Sequence, residues 1–65
     1  MKMESMAQFL IKGDFILDGR KKYEVLNVST TDENTKILIK DKAVNRIVVA
    51  KNNEFFKIAS AIKLD

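Results

Sequence analysis

Apolar and polar positions alternate in short blocks along this chain. The most orderly block is GDFILDGRKKYEVLNV, residues 13–28. Its first apolar run, Phe15-Ile16-Leu17, meets Asp18-Gly19. A basic triplet follows, Arg20-Lys21-Lys22, and then a second apolar run from Tyr23 to Val28. Asp-Gly between two apolar runs is a strong hairpin signal, because a type I′ turn needs positive φ at both central residues. The pattern predicts one strand at about 14–17 and the next at about 21–29. The second run changes phase: Tyr23 and Val25 share one face by period-two counting, whereas Leu26 and Val28 share the other. A bulge or sharp bend near Val25-Leu26 accounts for this and lets one strand serve a curved core on both sides of the bend.

Further along, STTDENT (29–35) has no large apolar residue and predicts a loop. KILIK (36–40) predicts a short strand, DKAVN (41–45) a turn, and β-branched RIVVA (46–50) another strand. KNN (51–53) predicts a turn in which Asn tolerates left-handed conformations. EFFKIASAIKL (54–64) fits a helical stripe through Phe55, Ile58 and Ile62. It also fits two short strands joined at Ala59-Ser60-Ala61, and the strand reading is preferred. In the first ten residues Met3, Met6 and Leu10 fit a helix face, while Ala7, Phe9 and Ile11 fit a strand face. Neither pattern is long enough to decide, and residues 1–5 are also compatible with disorder. Val25, Leu26, Val28, Ile37, Ile39, Ile47 and Val49 are the expected core.

Five short strands in a meander, the second one bent, predict a single all-β domain over residues 1–65: a small five-stranded barrel with a short helix or an extra strand at its start. Closure would also remove the long exposed edge that a run such as RIVVA otherwise presents. A chain of 65 residues buries only ~60% of the surface its unfolded form exposes, so the core must be efficient or the chain must self-associate. With no Cys and no His, disulfides and the usual zinc sites are excluded. No cofactor is expected. No run approaches the ~20 apolar residues of a membrane helix, and Glu4, Gln8 and Lys12 interrupt any leader-like segment. The expectation is a soluble cytoplasmic protein.

The hairpin of residues 13–28 resembles the opening of many small SH3-like barrels: Gly-Asp, an apolar strand, a turn with Gly, then an aromatic and a Val in a bent strand. The resemblance implies an SH3-like barrel, an arrangement shared by ribosomal and transcription-factor modules, small DNA-binding proteins and peptide-binding domains. The aromatic cluster of a proline-peptide groove is not evident, since Tyr23 is the only Tyr and Trp is absent. A more distant resemblance is to the Sm-like or Hfq-type RNA-binding fold. That fold also has a bent five-stranded sheet with Gly in its first turn, and FFKIASAIKLD is similar to its closing strands. Glu24 departs from it, standing where a second Gly would ease a sharp bend.

Charge adds the candidate chemistry. Twelve Lys and Arg stand against nine Asp and Glu, a net charge of +3, which permits a polyanionic partner without demanding one. Arg20, Lys21 and Lys22 would make a phosphate-attracting edge if Lys42 and Arg46 lay beside them, and alternate turns of a small barrel gather at one end. The competing reading is solvated charge, because Asp14, Asp18, Glu24 and Asp41 are interleaved with these cations. Tyr23 is either a base-stacking platform or a core residue with its hydroxyl at the rim. Phe55 and Phe56 cannot both face inward from a strand, so one is a candidate partner-binding aromatic. Asp32-Glu33-Asn34 lacks the spacing of a calcium loop. With no His, no Cys and only two Gly, neither the common nucleophilic sites nor a Gly-rich phosphate loop can be built, and no enzyme or small-molecule substrate is expected. The functional expectation is a non-catalytic nucleic-acid-binding or regulatory accessory module docking on phosphates through Arg20, Lys21, Lys22, Lys42 and Arg46. The alternative is a protein-interaction module or small homo-oligomer using Phe55, Phe56 and the edge of the RIVVA strand.

Overall fold

The computed structural model describes residues 3–59; the second strand expected at Ile62-Leu64 lies outside them. Six strands form one antiparallel sheet: β1 (Met3–Met6), β2 (Phe15–Asp18), β3 (Lys21–Thr30), β4 (Asn34–Asp41), β5 (Val44–Lys51) and β6 (Phe55–Ala59), in the order β1-β6-β2-β3-β4-β5. The first ten residues hold a strand and a single 3-10 turn, but with the two patterns exchanged: Met3 and Met6, which fit a helix face, lie in β1, and Ala7 and Phe9, which fit a strand face, lie in the 3-10 turn Ala7–Phe9. The fold is therefore all-β, with residues 3–5 inside β1.

The β2–β3 hairpin closes one residue later than the Asp-Gly pattern implies. Asp18 pairs with Lys21, so the central residues are Gly19 and Arg20. Gly19 has φ 62° while Arg20 is not in the positive region. Positive φ at the first central position alone is the type II′ signature, which corrects the expected I′ turn. The predicted bend is a β-bulge: Val25 pairs with Ile39 and Asn27 with Leu38, leaving Leu26 as the extra residue. At the bulge, Val25 N–H donates to Asp14 O at 2.8 Å and Gly13 N–H donates to Val25 O at 3.0 Å.

The core lies on the concave face, built from Leu10, Ile16, Tyr23, Val25, Ile37 and Ile39 with Ala7 and Ala50. Val28, Val48, Phe56 and Ile58 pack against it. Leu26 is only half-buried, as an unpaired bulge residue should be. Besides Leu26, two further expected core residues lie outside the core: Ile47 is 65% and Val49 58% exposed. RIVVA is apolar in both phases, so period-two counting could not choose its inner face. Pairing with β4 chooses it, placing Val48 opposite Ile37 and Ala50 opposite Thr35.

The loop expected at 29–35 is shorter than predicted, because β3 continues to Thr30 and β4 starts at Asn34. Thr35 is fully buried and its hydroxyl donates to Asn52 Oδ1 at 2.8 Å. Asn52 Nδ2 in turn donates to Thr31 O at 2.8 Å, tying the β3–β4 turn to the β5–β6 turn.

The sheet is open among the described residues, so of the closed or nearly closed barrel expected from the strand count, closure is corrected. β1 and β5 are its edges among the described residues. The chain leaving β1 bonds to the turn after β5 and not to β5 itself: Ala7 N–H donates to Glu54 O at 2.7 Å and Gln8 N–H to Asn52 O at 3.1 Å. Side chains, not backbone pairing, span the remaining seam. It is a cavity of about 290 Å³ lined by Ile16, Leu17, Tyr23, Arg46, Val48 and Phe56, among others.

Candidate nucleic-acid interface

Two turns meet at one end of the sheet. The β2–β3 turn brings Arg20, Lys21 and Lys22, and the β4–β5 turn brings Lys42. Because Glu24 pairs with Lys40, the start of β3 lies alongside the end of β4. Lys21, Lys22, Tyr23, Asp41 and Lys42 line one groove of about 200 Å³ between them.

The charge is unevenly spread. Segments 18–24 and 40–46 together hold Arg20, Lys21, Lys22, Lys40, Lys42 and Arg46 against Asp18, Glu24 and Asp41. Six cations and three carboxylates leave +3, the net charge of the whole chain. The other six lysines and six carboxylates cancel.

The five cations singled out in the sequence are not equivalent. Arg46 faces the concave side, with Nε 3.1 Å from Asp41 Oδ2 and its guanidinium 5.6 Å from the Tyr23 ring centroid. It is partly committed to holding the β4–β5 turn over Tyr23. Lys22 has its ammonium 4.9 Å from the Phe15 centroid and remains exposed. Arg20, Lys21 and Lys42 are also exposed, and among the described residues none of these four forms an ion pair. Tyr23 is buried beneath them and packs in the core.

Sequence reading missed the backbone of Lys42. Its φ is 58°, the only positive value at a described residue other than glycine. It is the first central residue of a two-residue turn closed by Asp41 and Val44, the position that Gly19 occupies in the other hairpin. The turn itself is expected at DKAVN, but Lys42-Ala43 has none of the Gly or Asn that mark positive φ, so nothing in the sequence placed a left-handed residue there.

Phe55 and Phe56 divide as a strand requires. Phe56 packs against the core, and Phe55 is 60% exposed on the convex face. Comparison with protein-family models, curated proteins and solved structures finds no match for the chain.

Proposed function

We propose that this chain is a non-catalytic nucleic-acid-docking module that engages the phosphate backbone with the end formed by its β2–β3 and β4–β5 turns. The observation that carries the reading is the concentration of the chain's whole net charge in two convergent turns. Three of those cations, Lys21, Lys22 and Lys42, line one groove between the two turns. The strained Lys42 backbone adds support. A side chain at positive φ costs roughly 1–3 kcal/mol, and such outliers cluster at functional positions. A cation kept where glycine is easier fits a use for that cation. The SH3-like resemblance of residues 13–28, which we read as an unclosed variant of that arrangement, is consistent with this role.

The mechanism is electrostatic. Arg20, Lys21, Lys22 and Lys42 are free of ion pairs, and Arg46, half exposed with its Nε on Asp41, keeps its terminal guanidinium N–H groups for a phosphate. Lysine-dominated contact gives little base reading. Each phosphate neutralised on duplex DNA contributes about −0.9 to the slope of log affinity against log salt, so four contacts give about −3.6, with Kd roughly 10⁻⁴–10⁻⁶ M at physiological salt. Fluorescence anisotropy with a labelled duplex and a labelled single strand, over a salt series, tests this. Lys21→Glu with Lys22→Glu should flatten the slope without unfolding the domain, since both residues are exposed. Absence of binding to either probe at low salt overturns the reading.

A second reading, a protein-interaction module, is supported by Phe55, whose ring is 60% exposed while its neighbour Phe56 packs against the core. A pull-down with and without nuclease separates the two, because only protein capture survives nuclease.

A further inference from the structure

We infer that β5 is a self-pairing edge, and that two copies of this chain join through antiparallel β5–β5 contact into one continuous sheet. The inference does not depend on the nucleic-acid reading, because it concerns a different surface.

The register of the β4–β5 hairpin shows which backbone groups are free. The closing pair of a two-residue hairpin is hydrogen-bonded, and bonded and non-bonded pairs then alternate. Counting from Asp41–Val44, the bonded residues of β5 are Val44, Arg46, Val48 and Ala50. The N–H and C=O groups of Asn45, Ile47, Val49 and Lys51 therefore point away from β4. Lys51 confirms the phase: its C=O accepts from Glu54 N–H at 3.0 Å, and its N–H donates to Glu54 Oε1 at 3.4 Å. Asn45, Ile47 and Val49 have no backbone partner among the described residues.

Among the described residues this edge has no Pro, no bulge and no covering helix, and it is eight residues long; its charges are Arg46, which faces the concave side, and Lys51 at its end, so its centre is unprotected. Its convex-face side chains near the centre are Ile47 and Val49, both exposed. Leu38 of β4 extends the apolar strip inward, next to Ile47.

The edge is complementary to itself. With a twofold axis at Val48, Ile47 of one copy lies opposite Val49 of the other, twice, and Val48 lies opposite Val48. Arg46 lies opposite Ala50 and Asn45 opposite Lys51, so no like charges are opposed. The two Ile47–Val49 pairs are of the bonded kind and supply four backbone hydrogen bonds between copies. Shifting the axis to Ile47 instead puts Val49 opposite Asn45 and halves the apolar pairing. Charge also favours antiparallel joining. At ~3.3 Å per residue, the two Lys42 tips lie roughly 40 Å apart, far beyond the ~8 Å Debye length at physiological salt. The two basic ends therefore do not repel.

The test is the mass of the intact chain in solution by sedimentation equilibrium across a wide concentration range. The mass should rise from 7.4 kDa toward twice that value. Ile47→Lys with Val49→Lys opposes two lysine pairs across the axis and should return the chain to monomer. Both side chains are exposed in the monomer, so the far-ultraviolet circular dichroism should be unchanged. Val48→Cys places the sole thiol of the chain on the axis, in a non-bonded pair whose Cα separation of about 4.5 Å suits a disulfide. Mild oxidation should cross-link it well above the level of Arg20→Cys, which sits at the distant turn. This second variant decides the matter if the lysine variant fails to fold. A chain that is monomeric at every concentration, a dimer indifferent to the lysine pair, or equal cross-linking at positions 48 and 20 overturns the inference.

Discussion

Replacing Lys42 by glycine separates two consequences that a structural lysine and a functional lysine would share. Lys42 sits at φ 58° at the tip of the β4–β5 turn, with its side chain exposed beside the basic groove. A left-handed conformation costs an L-residue about 1–2 kcal/mol. Glycine removes that cost but makes the unfolded chain more flexible, a penalty of roughly 0.5–1 kcal/mol. The net expectation is a gain of about 0.5–1 kcal/mol. For a domain of this size, 1 kcal/mol moves Tm by about 4–8 °C, so the gain corresponds to a rise of a few degrees in a thermal melt.

Nucleic-acid binding should move the other way. Losing one phosphate contact weakens affinity and reduces the salt slope by about 0.9. Opposite signs in the two assays are the diagnostic result. Lys42→Asn is the control, since Asn tolerates positive φ while removing the charge; it should lose the same contact with a smaller gain in Tm. A fall in Tm for Lys42→Gly would refute the reasoning, because the native backbone would then not be strained. A rise in Tm with an unchanged slope would leave the strain argument standing and remove Lys42 from the interface.

Two further perturbations test the frame that holds the site. Gly19→Val should cost roughly 1–3 kcal/mol, measured by urea denaturation; a Cβ there meets nothing within 4 Å, so the cost is the φ of 62° alone and an unchanged midpoint would sink the turn assignment. Asn52→Ala should cost about 2–3 kcal/mol, because it removes two hydrogen bonds and leaves the buried Thr35 hydroxyl with only Thr30 Oγ1 at 3.3 Å. In a Thr35→Val background the same change should cost about 1 kcal/mol, and additivity in that double-mutant cycle would mean that the Thr35–Asn52 bond is not a stabilising contact.

The legible parts of this fold are those in which one chemical signal had one structural outcome. The phase change at Val25-Leu26 could be absorbed only by an extra residue, and the bulge is there. Gly19 could relieve a hairpin at either of two central positions, so its positive φ was readable but the turn type was not. Thr35 was unreadable for another reason. A polar side chain reads as loop unless its buried partner is known, and Asn52 is 17 residues away. The same limit applies to Lys42, whose strain is imposed by the pairing of Asp41 with Val44 and is not advertised by any residue type.

Strand β5 shows how such an ambiguity bears on function. An alternating strand announces its inner face, and a one-residue slip would invert it. Ile47-Val48-Val49-Ala50 announces nothing, because either phase offers the core an apolar residue. The hairpin with β4 puts the smaller pair, Val48 and Ala50, inside, opposite Ile37 and the buried Thr35. The bulkier Ile47 and the exposed Val49 are left on the convex face. On the β5–β5 pairing inferred above, the double apolar phase has a use on both sides: one face serves the core of its own chain, and the other would serve the sheet that a second copy extends.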